Sequence, residues 1–145
     1  MRILSHAHLR PLASVAAISL LAVILVATLT SVGSGEEGAE PGTCSYGVRC
    51  FWGHLILFGG LAGAIVGWVA GGDPHLKVPG QALLLTVLFI VVFGAADEIA
   101  QELWVQGRYG QLRDWTDDVV GGVAGVVVAR LAVARVVRPA DGERD

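Results

Sequence analysis

The chain has 145 residues, of which 54% are hydrophobic, and its formal net charge is −3. Soluble domains are typically about 45–50% apolar, and here the apolar residues are gathered into four long runs, which is typical of a membrane protein. No basic patch with interleaved aromatic residues occurs in the sequence, so we expect no nucleic-acid partner. At this length the chain is expected to form one small domain.

The first apolar run covers residues 11–32 and follows Arg2 and Arg10. It is longer than the apolar region of a signal peptide, which usually has about 7–15 residues. We therefore expect a retained first helix, with residues 1–10 as a cytoplasmic N-terminus. A cleaved signal peptide is the alternative, because the small residues of TSVGSG at the end of the run could suit a peptidase.

A loop rich in glycine, serine and glutamate follows, and it ends with the only two cysteines of the chain, Cys44 and Cys50. Outside the cytoplasm these two cysteines could form a disulfide, and free thiols are the alternative. Metal ligation by the cysteines and His54 is disfavoured, because a structural zinc site needs four ligands. We predict neither a metal nor another cofactor.

Three further apolar runs predict helices at residues 51–70, 81–103 and 115–137. Helices are favoured over strands because they satisfy their own backbone hydrogen bonds in lipid. The predicted fold is therefore all-α, a four-helix transmembrane bundle over residues 11–137 with short connecting loops. A cytoplasmic tail follows at residues 138–145.

Lysine and arginine are distributed unevenly between the two sides of this bundle. If the N-terminus is inside, the outer side carries three of them, Arg49, Arg108 and Arg113. The inner side carries seven, which are Arg2, Arg10, Lys77, Arg130, Arg135, Arg138 and Arg144. The positive-inside rule therefore favours an N-in/C-in orientation in the cell membrane.

Glycines recur at a spacing of four in two of the predicted helices. They are Gly59, Gly63 and Gly67 in the second helix and Gly121 and Gly125 in the fourth. Stripes of small residues allow helix backbones to approach closely in lipid. We interpret all five as packing residues, and we expect leucine at Gly63 or Gly125 to loosen the bundle.

Polar side chains are concentrated in the stretch DEIAQELWVQGRYGQLRDW, residues 97–115. In a helix, Gln101 shares a face with Asp97 and Glu98, and Asp114 and Asp118 share a face with the glycines of the last helix. In the predicted topology these groups lie at the outer surface, as does His54. The predicted ligand-binding residues are His54, Asp97, Glu98, Gln101, Arg108, Asp114 and Asp118.

Three interpretations of this predicted site are open. Closely spaced carboxylates cannot all stay ionised without compensation, so Arg108 and Arg113 could pair with them in a cluster that only locks the fold. The site could instead bind a lipid headgroup, a glycan or a peptide. A third interpretation is catalysis, with Glu98 or Asp97 as base and His54 as acid, although no recognisable motif places a serine or cysteine nucleophile beside them.

The order of these motifs resembles the VanZ-like family of bacterial membrane proteins. The matching residues are Asp97, Glu98 and Gln101, then Gly107 and Arg108, then Asp114, Gly121 and Gly125, with His54 and Phe58 upstream. Two positions depart from the family pattern. Asp118 stands where asparagine is usual, and Cys50 stands where an acid is expected, which implies either a site of different selectivity or a diverged site.

The resemblance implies about four transmembrane helices and a cell-envelope setting. The founding member of the family is linked to resistance to the glycopeptide teicoplanin, so the resemblance also implies a link to glycopeptide susceptibility. It implies no defined reaction, and we therefore favour a binding protein over an enzyme. The expected partners are membrane lipids and an envelope glycan or lipid.

Overall fold

A computed structural model of the chain describes residues 6–30, 48–73, 75–105 and 110–137. The described residues form four α-helices, which confirms the predicted all-α fold. The helices are α1 (His6–Thr30), α2 (Val48–Ala70), α3 (Gly80–Trp104) and α4 (Leu112–Val137). Helix α1 begins at His6, before the apolar run, and contains Pro11.

Three of the described helices are long and apolar enough to cross a membrane. The candidate spans are His8–Leu29, Phe51–Ala70 and Gly80–Trp104. Helix α4 is not among them, and its described part carries charged side chains near both ends. They are Arg113, Asp114, Asp117 and Asp118 near the start and Arg130 and Arg135 near the end. A membrane crossing by α4 therefore stays a prediction.

Large apolar side chains cover the outside of the bundle as well as its core. Phe58 and Leu61 of α2 and Ile90 of α3 are almost completely buried, whereas Ile18 is 67% exposed and Leu84 is 68% exposed. Soluble monomers rarely expose such large contiguous apolar surfaces. The described surface therefore suits a protein surrounded by lipid.

The closest helix packing joins α2 and α4, which run in the same direction. A methyl group added to Gly59 would lie 2.9 Å from the carbonyl oxygen of Gly121, and one added to Gly121 would lie 2.8 Å from the Cα atom of Leu55. A methyl group on Gly125 would collide with the Gly59 carbonyl. Because these neighbours are backbone atoms, no side-chain rotation could relieve the contact.

The glycine stripe of α2 does not pack against a single neighbouring helix along its whole length. A methyl group on Gly63 would still lie 3.8 Å from Gly125 of α4, but one on Gly67 would lie 3.7 Å from Ala13 of α1. Residues four apart in a helix are offset by about 40° around its axis. The stripe therefore turns from α4 towards α1 along the helix, and both α1 and α4 pack on α2.

Candidate functional site

One end of the bundle collects most of the buried polar side chains of the described residues. Helices α1 and α3 end there, and α2 and α4 begin there. The buried polar side chains at this end are Thr28, Asp97, Glu98, Gln101, Asp114 and Asp118, and the partly buried His54 lies among them. We call these seven residues the polar cluster. The structure thus brings together six of the seven residues predicted to bind a ligand.

His54 lies between two aspartates of α4. Its Nδ1 atom is 2.7 Å from Oδ1 of Asp118, the distance of a strong hydrogen bond from a ring N–H to a carboxylate. Its Nε2 atom is 3.9 Å from Oδ2 of Asp114, within ion-pair distance if the ring is charged. The two aspartates can both face His54 because they are four residues apart on α4, one turn of the helix.

The second part of the polar cluster lies on α3 and extends to α1. The side-chain amide of Gln101 donates a hydrogen bond to Oδ2 of Asp97 at 2.8 Å, as expected for residues four apart on one helix face. The hydroxyl of Thr28 donates to the other oxygen, Oδ1, also at 2.8 Å. Asp97 is therefore held from its own helix and from α1.

Glu98 fixes the start of α4 relative to α3. Its Oε2 atom accepts a hydrogen bond of 2.7 Å from the backbone N–H of Gln111, the residue before α4 begins. A carboxylate is favourable there because the N–H groups at the start of a helix lack partners and carry partial positive charge. Gly110 allows the segment before α4 to lie this close to Glu98, because a methyl group on residue 110 would lie 2.9 Å from the backbone oxygen of Glu98.

Asp118 sits against α3 because residue 94 lacks a side chain. A methyl group on Gly94 would lie 3.2 Å from Oδ2 of Asp118 and 3.3 Å from the ring of Trp115. The indole N–H of Trp115 donates to the backbone oxygen of Val91 at 3.0 Å. This contact holds the start of α4 on α3, so the position of Asp118 depends on both neighbours of α4.

Three buried oxygen atoms of the polar cluster have no hydrogen-bond partner among the described residues. They are Oε1 of Glu98, Oε1 of Gln101 and Oδ2 of Asp118. Each side chain uses its other polar atom in a hydrogen bond. Native proteins rarely leave buried polar atoms unsatisfied, and each exception needs an explanation.

Five residues that shape the polar cluster were not predicted from the sequence: Thr28, Gly94, Gly110, Gln111 and Trp115. Thr28 is the clearest, because it is a polar residue within the first apolar run. However, a threonine in a helix can bond its own backbone, and the Thr28 hydroxyl also lies 2.8 Å from the backbone oxygen of Ile24, so its single proton is shared between this oxygen and Asp97. The sequence therefore gives no sign that Thr28 reaches another helix.

Two sets of predicted site residues lie outside the described structure. Arg108 lies in the undescribed segment 106–109, and Cys44 lies in the undescribed segment 31–47. The side chain of Cys50 is likewise not described. The predicted role of Arg108 and the disulfide therefore stay predictions. Within the described ranges, no group of three or more histidine, cysteine or acidic side chains is arranged to hold a metal ion.

Comparison with known proteins adds no identification. No protein-family model, no curated protein and no solved structure matches this chain. The resemblance to the VanZ-like family therefore depends on the motif residues alone, and it stays a prediction.

Proposed function

We propose that this chain is a VanZ-like integral membrane protein of the cell envelope. In this proposal all four helices cross the membrane in an N-in/C-in orientation, and the polar cluster faces outward. The cluster binds a polar ligand, which is a lipid headgroup, a glycan or a peptide, and this binding affects susceptibility to glycopeptide antibiotics. The supporting observation is the set of three unsatisfied oxygens buried in the cluster.

These oxygens favour a binding site over a cluster that only locks the fold. A buried polar network adds stability and specificity when every member is satisfied, and it is costly when members are left unpaired. Oε1 of Gln101 belongs to a fully buried side chain, as does Oδ2 of Asp118. A ligand that supplies hydrogen-bond donors would remove this cost.

The motif residues support a cell-envelope role and lead to a direct test. We expect Glu98→Gln and Arg108→Ala each to abolish any glycopeptide phenotype that the wild-type chain confers, without loss of membrane insertion. Glu102→Gln and Arg135→Ala are matched controls, because Glu102 and Arg135 are exposed. The measurement is antibiotic susceptibility, normalised to the amount of protein in the membrane fraction. Wild-type susceptibility from both Glu98→Gln and Arg108→Ala would refute this role.

The orientation can be tested separately by cysteine labelling. A background with Cys44→Ser and Cys50→Ser removes the native thiols, and single cysteines then replace Arg108 or Arg135. A membrane-impermeant maleimide added to intact cells should label Arg108→Cys and should not label Arg135→Cys. The reverse pattern would overturn the N-in/C-in orientation.

A membrane enzyme acting on an envelope lipid or glycan is the second candidate function. The 2.7 Å contact between His54 and Asp118 favours it, because a carboxylate that orients a histidine is a common acid–base arrangement. Glu98 or Asp97 would then act as the base and His54 as the acid. This candidate predicts turnover of a lipid-linked substrate in proteoliposomes, lost in His54→Gln. Binding without turnover would leave the first proposal as the function.

A further inference from the structure

We infer that the polar cluster recognises a primary ammonium group. This inference rests on the proposed function, because it names the chemical class of the ligand for the same site.

All three unsatisfied atoms are hydrogen-bond acceptors when Glu98 and Asp118 are ionised. Oε1 of Glu98 and Oδ2 of Asp118 are carboxylate oxygens. The amide of Gln101 has a defined orientation, because its Nε2 atom donates to the carboxylate of Asp97, which leaves its oxygen without a donor. The ligand must therefore bring donors to the site, and a ligand that offers only acceptors does not match it.

The charge of the polar cluster also favours a cation. Asp97, Glu98, Asp114 and Asp118 are all buried at this end of the bundle. Glu98 and Asp118 interact electrostatically with each other and with Asp114, and His54, the one basic side chain of the polar cluster, offsets part of this repulsion. A phosphate or carboxylate ligand would add negative charge to this group, whereas an ammonium would reduce the repulsion among the acids.

A primary ammonium combines these two properties. It carries a positive charge and three N–H donors and has no acceptor, so it matches a site that offers acceptors and negative charge. A trimethylammonium group carries the same charge without any N–H donor and is typically bound by aromatic cages. The polar cluster consists of carboxylates, an amide, a hydroxyl and an imidazole, and one aromatic ring, that of Trp115, lies near Asp118, whereas a cage is built from several rings. The site should therefore distinguish an ethanolamine headgroup from a choline headgroup.

The test measures lipid retention by native mass spectrometry on the purified, delipidated full chain. Three lipids with the same acyl chains are offered singly: phosphatidylethanolamine, phosphatidylcholine and phosphatidylglycerol. We expect the apparent affinity for phosphatidylethanolamine to exceed that for each of the other two by about tenfold, since one charge-assisted hydrogen bond is worth at least that ratio.

Variants connect the measured selectivity to the polar cluster. Glu98→Gln should reduce the preference for phosphatidylethanolamine by about tenfold, and Asp118→Asn should reduce it as a second, independent change. Glu102→Gln is the control, because Glu102 lies one turn away on the same helix and is exposed. Circular dichroism and gel filtration verify that each variant is folded, and selectivity is compared among folded variants.

Each outcome separates the inference from the proposed function. Equal retention of all three lipids that is lost in Glu98→Gln would overturn the ammonium assignment and leave a polar-ligand site. Retention of none of them, with no binding of free ethanolamine, would overturn the inference and would leave a glycan or a peptide as the ligand of the proposed site. If free ethanolamine displaced bound phosphatidylethanolamine as effectively as phosphatidylethanolamine itself does, the ammonium assignment would be supported. The ligand would then be a soluble or polymeric amine. If neither Glu98→Gln nor Asp118→Asn changed the preference for phosphatidylethanolamine, the assignment of the binding site to the polar cluster would be refuted.

Discussion

Alanine at Gly125 should separate α2 from α4, whereas alanine at Gly63 should not. The added methyl group at residue 125 would collide with the carbonyl of Gly59 and lie 2.8 Å from its Cα atom. The methyl group at residue 63 would find its nearest neighbours at 3.8 Å, an ordinary contact distance. The two substitutions are chemically identical and affect the same helix pair, so their difference isolates the close contact.

The expected difference follows from two opposing effects. Replacement of glycine by alanine within a helix contributes about 1 kcal/mol of helix stability at either position. Overpacking costs about 1–3 kcal/mol, and the cost at residue 125 should lie at the upper end because both colliding partners are backbone. We therefore expect the free energy of unfolding of Gly125→Ala to lie about 2–3 kcal/mol below that of Gly63→Ala.

Reversible unfolding in mixed detergent micelles, followed by far-ultraviolet circular dichroism, measures this difference. Wild type provides the reference, and Gly53→Ala is a further control because a methyl group there meets nothing within 4 Å. If Gly125→Ala and Gly63→Ala agreed within about 0.5 kcal/mol, the usual range for neutral substitutions, the close contact between α2 and α4 would be refuted.

Two further predictions concern hydrogen bonds that join the helices at the polar end. Thr28→Val should lower the free energy of unfolding by about 1–3 kcal/mol, because the buried carboxylate of Asp97 loses a donor; Thr116→Val, at an exposed position, should have almost no effect in the same detergent assay. Trp115→Phe should cost about 1 kcal/mol through loss of the indole hydrogen bond to α3, whereas Trp104→Phe should be neutral because that ring is 76% exposed. Equal effects of target and control in either pair would refute the corresponding contact.

The helices could be predicted from the sequence because their signals are local. Each apolar run is bounded by charged or turn-forming residues, and the structure has a helix for each of the four runs. The spacing within a helix also predicts which side chains share a face, as the hydrogen bond between Gln101 and Asp97 shows. Both properties depend only on the geometry of a single helix.

The contacts between helices could be predicted only in part. The spacing of four identifies Gly59 and Gly63 as small residues on one face, but it does not identify the helix that packs there. The same limit applies to Gly122, where a methyl group would lie 2.5 Å from Ile90 of α3. Adjacent glycines at 121 and 122 allow α4 to approach two helices at once, and this property depends on the arrangement of the whole bundle.

The presence of aspartate rather than asparagine at residue 118 has a structural consequence. Asparagine could still accept a hydrogen bond from His54 through its side-chain oxygen, but its amide would place a donor where the second oxygen of Asp118 has no partner. Aspartate instead offers an acceptor and a negative charge at that point. The exchange thus changes the atom that a ligand would meet while it preserves the contact that orients the histidine.

Close packing and the polar cluster depend on the same contacts. His54 lies one residue before Leu55, whose backbone touches Gly121, and Asp118 lies one turn before Gly122 on α4. Any side chain that pushed α4 away from α2 would lengthen the 2.7 Å contact between His54 and Asp118. The glycines therefore do more than hold the bundle together, because they set the distance between the two helices that carry the acids and the histidine. If the polar cluster binds a ligand as proposed, loss of that binding should accompany loss of stability in Gly125→Ala, even though residue 125 itself lies outside the polar cluster.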